Sequence, residues 1–316
     1  MKRVVVAALS VALLTLPACG SSTPPGSSAP PGSSAPPGSS APPGSSRDIF
    51  GKRAQQVVTA WTEGDLLARW RTSFIAAQGL TIEPDWTPRG ALKASFGNGW
   101  VRTATALPTA EGTGELRYAV DGTTVRVRTA GAQSAYDAMV NPKVGECPHA
   151  DDGSTDCAWV TITGVHAGTA TILSSRGKAT VPTWEFTVEG LSTPLVRVAV
   201  ADALEPEDLK PSLATPPVDG RSILLYSQVV SATEGRMLTV ALGSGDCDTH
   251  VTGRFLETAD LVVVGGTGTG PAPGTACTAR LRIQDVTFTL AQPVGARAVV
   301  DAASGRPLLP QPAPRS

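Results

Sequence analysis

Apolar positions along the chain follow two different periods. Early in the body, Phe50, Ala54, Val57, Val58 and Trp61 fall at intervals of four, three, one and three, which places them on one face of a 3.6-residue spiral. This spacing predicts an amphipathic helix with Ser46 as its N-cap and Gly64 as its stop. An aromatic stripe at this spacing is core packing rather than a ligand site. Beyond the helix the period drops to two. Residues 115–120 and 123–128 alternate on either side of Asp121-Gly122, a dipeptide that favours a two-residue hairpin turn because both positions take positive φ. That turn would set Tyr118 opposite Val125, Leu116 opposite Val127 and Val120 opposite Thr123 on a buried side. The other side, exposed to solvent, would oppose Arg117 to Arg126 and Glu115 to Arg128.

Short strands are expected to follow at 158–163 and 169–173, separated by a Gly-containing loop. More are read around Trp184, Phe186 and Val188, and around Val196, Val198 and Val200. The second half offers 223–230, 237–242, 261–264, 280–283 and 286–290. Many short strands with Gly, Pro, Ser and Asp turns, and only one good helix, predict a mainly β (α+β) chain. The expected architecture is an N-terminal helix followed by antiparallel sandwich- or barrel-like β structure in two lobes. The cluster of Pro206, Pro211, Pro216 and Pro217 marks a break. It gives a helix-plus-β domain over 47–206, a linker over 207–220 and a second β domain over 221–316; a long surface connection within one fold fits the same residues.

The first residues carry a different signal. Lys2 and Arg3 precede an apolar run from Val4 to Leu16, and Pro17-Ala18-Cys19 closes it, the pattern of a signal peptide over 1–18. The run is shorter than the roughly 20 apolar residues needed to span a bilayer. Its Leu-x-Ala-Cys ending resembles the lipobox of bacterial lipoproteins, which implies cleavage before Cys19 and diacylglycerol on its sulfur. Two or three acyl chains, at about 0.8 kcal/mol per buried methylene, hold such a protein to the bilayer. From Gly20 to Ser46 the unit Pro-Pro-Gly-Ser-Ser-Ala recurs with no large apolar side chain, so this stretch has nothing to offset its conformational entropy. It reads as a flexible tether reaching roughly 30 Å.

Charge and cysteine usage agree with export. Loss of Lys2 and Arg3 from 26 basic residues, against 27 acidic ones, leaves a net charge of −3, without the basic footprint that nucleic acid requires. Five cysteines are odd in number. Assigning Cys19 to lipid leaves Cys147, Cys157, Cys247 and Cys277, an even set suited to an oxidising compartment. Four cysteines permit three connectivities; because each half holds one pair, local Cys147–Cys157 and Cys247–Cys277 bridges are favoured.

No reaction chemistry emerges from the motifs. Gly266-Thr267-Gly268-Thr269-Gly270 follows an apolar run, but Pro271 and Pro273 come next where a phosphate loop needs a helix. It is expected to be a flexible loop between strands. Gly243-Ser244-Gly245 lacks the spacing of a nucleophile elbow, and Asp246, Asp248 and His250 nearby read as a polar turn. His149, His166 and His250 are the only histidines, with no metal-binding spacing, so neither a metal nor a cofactor is expected. Glu146, His149, Asp151, Asp152 and Asp156 in the first cysteine loop form the candidate contact surface, a solvated acidic turn rather than a calcium loop.

Three stretches carry a resemblance: Ala179-Thr-Val-Pro-Thr-Trp-Glu-Phe186, Cys247 with Cys277-Thr-Ala279, and Val299-Val-Asp-Ala-Ala-Ser-Gly-Arg-Pro307. They resemble a secreted lipoprotein family of high-GC, actinomycete-type Gram-positive bacteria, and the resemblance implies no activity. The expectation is a non-enzymatic module on the outer face of the cell membrane. Its partners would be the bilayer through Cys19 and a cell-envelope protein or wall polymer. The alternatives are the solute-binding component of an uptake system and an exported enzyme acting on the cell wall.

Overall fold

A computed structural model describes residues 48–140, 158–216 and 220–310. Among these are four helices: α1 (Ile49–Glu63), α2 (Leu66–Thr72), α3 (Gly90–Gly97) and α4 (Ala132–Met139). The first half supplies strands β1 (Thr81–Ile82), β2 (Val101–Thr103), β3 (Gly112–Tyr118), β4 (Thr124–Thr129), β5 (Val160–Ser174), β6 (Gly177–Val188) and β7 (Leu195–Val198). The second half supplies β8 (Ser222–Glu234), β9 (Met237–Gly245), β10 (Thr249–Glu257), β11 (Leu261–Thr269), β12 (Leu281–Thr289) and β13 (Ala298–Asp301). The protein is mainly β, in two sheets, one of them curled into a half-barrel. In the first sheet the order is β1-β7-β6-β3-β4, with β5 on β6 and β2 parallel to β5. The second runs β10-β11-β8-β9-β12, with β13 parallel to β11.

Helix α1 forms where its periodicity places it, and Phe50, Ala54, Val57 and Trp61 are buried. Its cap is Asp48, not Ser46: Asp48 Oδ1 accepts from Gly51 N at 2.8 Å, satisfying one of the free N-terminal amides. Gly64 ends it as expected. Although first in the chain, α1 packs on the second sheet, against Leu261 and Val263 of β11 and Ala298 and Val300 of β13. The proline-rich connection is packed there too, with Leu209 fully buried in the same cluster and Leu213 against it. The expectation of a single good helix fails. Helices α2 to α4 have only seven or eight residues each, too few for a periodic signal to stand out.

The first hairpin keeps its faces but not its register. Glu115 pairs Arg126, Leu116 pairs Val125 and Arg117 pairs Thr124. A four-residue loop replaces the two-residue turn: Tyr118 N donates to Thr123 O and Gly122 N to Tyr118 O. Only Gly122 takes positive φ. Asp121 does not take positive φ and accepts from Thr123 N at 2.9 Å, an Asx turn that competes with the tighter geometry. Slipping by two residues preserves side, so Leu116 and Tyr118 are buried, but Val120 and Val125, expected on that buried side, are exposed. The opposed arginines are thereby avoided, and Glu115 faces Arg126 instead.

Three expected interruptions are continuous strand. Strand β5 runs unbroken through Gly164–Gly168, with a bulge between Ile162 and Gly164. Gly168 is small because Glu185 lies across it: a Cβ there would come within 2.1 Å of Glu185 Oε1. That carboxylate reaches His166 Nε2 at 3.0 Å. Likewise β11 continues through Thr269, so the predicted glycine loop is sheet. A Cβ on Gly266 would meet Leu242 at 2.9 Å, and one on Gly265 would crowd Phe50 at 3.3 Å. These glycines mark close approach, not a turn. The pieces expected at 280–283 and 286–290 are one strand, β12, paired with β9 along its length.

Cys247 and Cys277 are bonded, with Cα atoms 5.9 Å apart and a sequence separation of 30. On the chain-entropy model, closing a loop of that size contributes about 3–4 kcal/mol. A Cys247→Ser, Cys277→Ser double variant is expected to shift its denaturant midpoint by that amount, read by urea unfolding. A shift under about 1 kcal/mol would mean that the exposed 271–280 segment stays ordered without the bond. Cys147 and Cys157 lie outside the described residues, as do Cys19 and the tether.

Candidate functional site

Strand β8 changes partners midway, and a cleft opens where it does. Ser222 to Leu225 pair with Thr269 to Gly266 of β11; from Tyr226 onward β8 pairs with β9. Further along, Val230 bridges Pro310. Between these points the edge of β8 faces the turn that follows β13, and its backbone needs new partners. Asp301, the last residue of β13, supplies one: its Oδ1 accepts from Ser227 N at 2.8 Å.

The turn itself is closed by the same carboxylate. Oδ2 accepts from Ser304 N at 2.8 Å and from Ser304 Oγ at 2.6 Å. Gly305 N donates to Asp301 O at 2.8 Å, and Asp301 N donates to Arg306 O at 2.9 Å. Gly305 takes φ +75°, and a Cβ there would strike Pro211 at 2.5 Å, so only glycine serves. Asp301 is 1% exposed. Burial pushes its carboxyl above the usual range, and the donors from Ser227, Ser304 and Ala303 pull part of the way back.

Helix α1 holds the turn from behind. Trp61 Nε1 donates to Gly305 O at 2.9 Å. Arg53, also buried, donates through Nε to Ala302 O at 3.1 Å and through Nη2 to Ala303 O at 2.8 Å. Its Nη1 reaches Ala214 O, in the proline-rich connection, at 2.7 Å. Desolvation lowers the Arg53 pKa, opposed by the nearby Asp301 charge. Two side chains on one face of a helix thus fix three carbonyls of the turn, those of Ala302, Ala303 and Gly305.

The resulting cleft has a volume of about 490 Å³ and is lined by Glu207, Lys210, Tyr226, Ser227, Gln228, Asp301, Ser304 and Arg306. That size lies within the roughly 300–1,000 Å³ of small-molecule sites. Its charges are already answered. Lys210 Nζ donates to Glu207 Oε1 at 2.8 Å, and Arg306 Nη1 lies 3.8 Å from Glu207 Oε2. The Lys210 contact, first by its hydrogen bond, holds the Glu207 carboxyl below its usual value. The neutral side chains left exposed are Tyr226 and Gln228, and the Ser227 hydroxyl is closed off. Ser227 is 3% exposed, and its Oγ is buried without a hydrogen-bond partner, a state that costs about 1–3 kcal/mol. Tyr226 is 59% exposed. On the sheet face Tyr226, Gly243 and Ile283 form one row across β8, β9 and β12. Gln228 and Leu281 reach over the bare glycine.

The sequence motifs singled out for chemistry are occupied elsewhere. Asp246 accepts from Thr278 Oγ1 at 2.9 Å and Arg282 Nε at 2.8 Å, bonds that hold its carboxyl below the usual range. Asp248 accepts from Gly245 N at 2.6 Å, and His250 contacts its neighbour Thr249. No group of three or more metal-ligating side chains comes together among the described residues. The acidic contact loop of Glu146, His149, Asp151, Asp152 and Asp156 lies outside them. Sequence reasoning missed the cleft altogether. Its one local signal is Asp301-x-x-Ser304-Gly305 after the apolar run Ala298–Val300, the spacing of a side-chain-closed turn. No family model, curated protein or solved structure matches the chain.

Proposed function

We propose that this chain is a lipid-anchored, extracytoplasmic binding module whose folded body presents the β8–β13 cleft to a component of the cell envelope. The leader, the Cys19 lipobox and the Pro/Gly/Ser tether support the anchor; the cleft supports the binding role. The reading rests on a preformed pocket whose charges are internally paired while an exposed aromatic ring, Tyr226, stands among its lining residues. Such a site is ready for a ligand without rearranging its ionic contacts.

Anchoring predicts that Cys19→Ala moves the protein from the membrane fraction to the medium and that the mature product loses the mass of its acyl groups. A variant still held in the membrane would contradict the lipobox reading. Binding predicts that the soluble Cys19→Ala chain sediments with purified cell envelopes, and that adding Gln228→Trp at the cleft mouth lowers retention at least tenfold with an unchanged melting temperature. Equal retention would remove the cleft from the account.

One observation favours a second reading, an exported hydrolase. Asp301 and Glu207 line the same cleft with pKa values displaced in opposite directions, as in acid–base pairs. Against it, Asp301 is enclosed by donors that already fill its oxygens, whereas a catalytic carboxyl must reach substrate. Hydrolysis would release new reducing ends from wall polysaccharide, and Glu207→Gln would stop it. The solute-binding alternative calls for alternating strands and helices in two lobes, and largely antiparallel sheets lend it no support.

A further inference from the structure

We infer that the free edge of β12 pairs with β12 of a second copy of this chain, antiparallel about a two-fold axis at Arg282, so that Leu281 and Ile283 of the two copies meet. Strand β12 is hydrogen-bonded on one side only, to β9, along its whole length and without a bulge. Leu290 N donates to Arg236 O, one step beyond that pairing. Bonded pairs alternate along an antiparallel ladder, so even-numbered residues of β12 turn their amides to β9 and odd-numbered ones turn theirs away. Leu281, Ile283 and Asp285 therefore line the free edge with N–H and C=O groups that have no hydrogen-bond partner among the described residues. Other outer strands are blunted: β1 and β2 have two and three residues, β4 carries Arg126 and Arg128, and β10 has a bulge between Thr249 and Thr252. In β12 neither proline nor bulge interrupts the edge. Residues 281–285 are all exposed, with Leu281 at 57% and Ile283 at 51%. An unblunted apolar edge is a template for another strand.

Charge and side-chain matching select a second copy and fix its register. With Arg282 on the axis, Leu281 of each copy faces Ile283 of the other, Gln284 faces Arg280, and Asp285 faces Ala279. The two Arg282 side chains meet, but each brings its own counter-charge: Nε donates to Asp246 Oδ1 at 2.8 Å, and the axis is neutral. The neighbouring registers are worse. With Ile283 on the axis Asp285 opposes Leu281, with Gln284 there it opposes Ile283, and with Asp285 there it opposes its own copy. With Leu281 on the axis, Arg280, which has no ion pair among the described residues, opposes Arg282. The contact is small, so the dimer is weak and reversible. An antiparallel pair in one sheet has its two-fold perpendicular to that sheet, so the row of Tyr226, Gly243 and Ile283 looks the same way in both copies. Two clefts side by side would engage a repeating envelope component bivalently. That consequence rests on the binding-module reading; the pairing itself does not.

The test is sedimentation equilibrium of the full chain carrying Cys19→Ala over a wide concentration range. A monomer–dimer equilibrium is expected. Ile283→Lys should weaken it at least tenfold, while Thr289→Lys, at the far end of β12, should leave it unchanged. Both positions are exposed, so neither variant should lower the melting temperature, and lost association cannot be ascribed to unfolding. Mild oxidation reads the register. Residue 282 sits on the axis in a non-hydrogen-bonded pair, where Cα atoms approach to about 4.5 Å, within disulfide reach. Arg282→Cys should give a covalent dimer on non-reducing gels, and Gln284→Cys should not. A chain that stays monomeric at every concentration, or a dimer indifferent to Ile283→Lys, overturns the pairing. Crosslinking through Gln284→Cys in place of Arg282→Cys overturns it as well, because the apolar residues would then not meet. Retention by envelopes is measured separately: its loss with the dimer intact strikes the cleft reading alone, and a monomeric chain that envelopes still retain strikes the pairing alone.

Discussion

Trp61→Ala is expected to lower the unfolding free energy by about 3–5 kcal/mol, the range for emptying a large buried aromatic site. Trp61 is fully buried where α1 meets β11 and β13, and edge-on to Trp70 at a centroid distance of 6.3 Å. Its loss removes that packing and orphans Gly305 O. The damage should not be uniform. Arg53 would still hold Ala302 and Ala303, so hydrogen exchange should rise most at Gly305 and Arg306, on the cleft side. Trp61→Phe, which keeps most of the apolar bulk but not the indole N–H, should cost less overall yet loosen the same two amides. Urea unfolding and amide exchange separate the two effects. A loss below about 2 kcal/mol for Trp61→Ala would mean that α1 is a cover on the sheet rather than the part that fixes the cleft.

Asp301→Ala is expected to be comparably severe. It strands Ser227 N, Ser304 N and Ser304 Oγ, and each buried donor left alone costs about 1–3 kcal/mol. Asp301→Asn keeps the shape but turns an NH2 toward at least one donor, and it isolates the proton linkage. The folded carboxyl has its pKa raised by burial above the roughly 3.9 of an unfolded aspartate. Between those values the native state holds the extra proton, so stability falls as pH rises. The Asp301 contribution is therefore complete below about pH 3.9 and fades as pH rises through the folded value. The advantage of wild type over Asp301→Asn should accordingly be larger at pH 4 than at pH 7. Taking that difference cancels Glu207, Glu257 and Asp246, whose lowered pKa values act in the opposite sense and weaken the fold as pH falls. An advantage that grows with pH would show the donors, not burial, to dominate this carboxyl.

Much of the β architecture was legible because alternation is a local signal. Trp184, Phe186 and Val188 read correctly as one strand, and α1 was plain from five apolar positions. Two of the three broken-strand readings share a cause: glycine was read as a chain-breaker where it answers a neighbour distant in sequence. Gly168 makes room for Glu185, Gly265 for Phe50 and Gly266 for Leu242; nothing near each glycine announces that crowding. The hairpin register failed for a related reason, since Asp121 used its own side chain to close a wider loop. The cleft was illegible on stronger grounds. Its floor joins Ser227 to Asp301, 74 residues apart, and its support joins Arg53 to Ala303, 250 residues apart. Only the turn Asp301–Arg306 left a mark in the sequence, and that mark describes a turn, not a site.

Site-specific photo-crosslinking on intact cells decides whether the proposed contact with the cell envelope is made at the β8–β13 cleft. A photoreactive residue at position 228 samples the cleft mouth, and one at position 287 samples the same sheet away from it. A reproducible envelope adduct is expected from position 228 and none from position 287. Equal labelling from both positions, or labelling from 287 alone, would contradict a contact at the cleft.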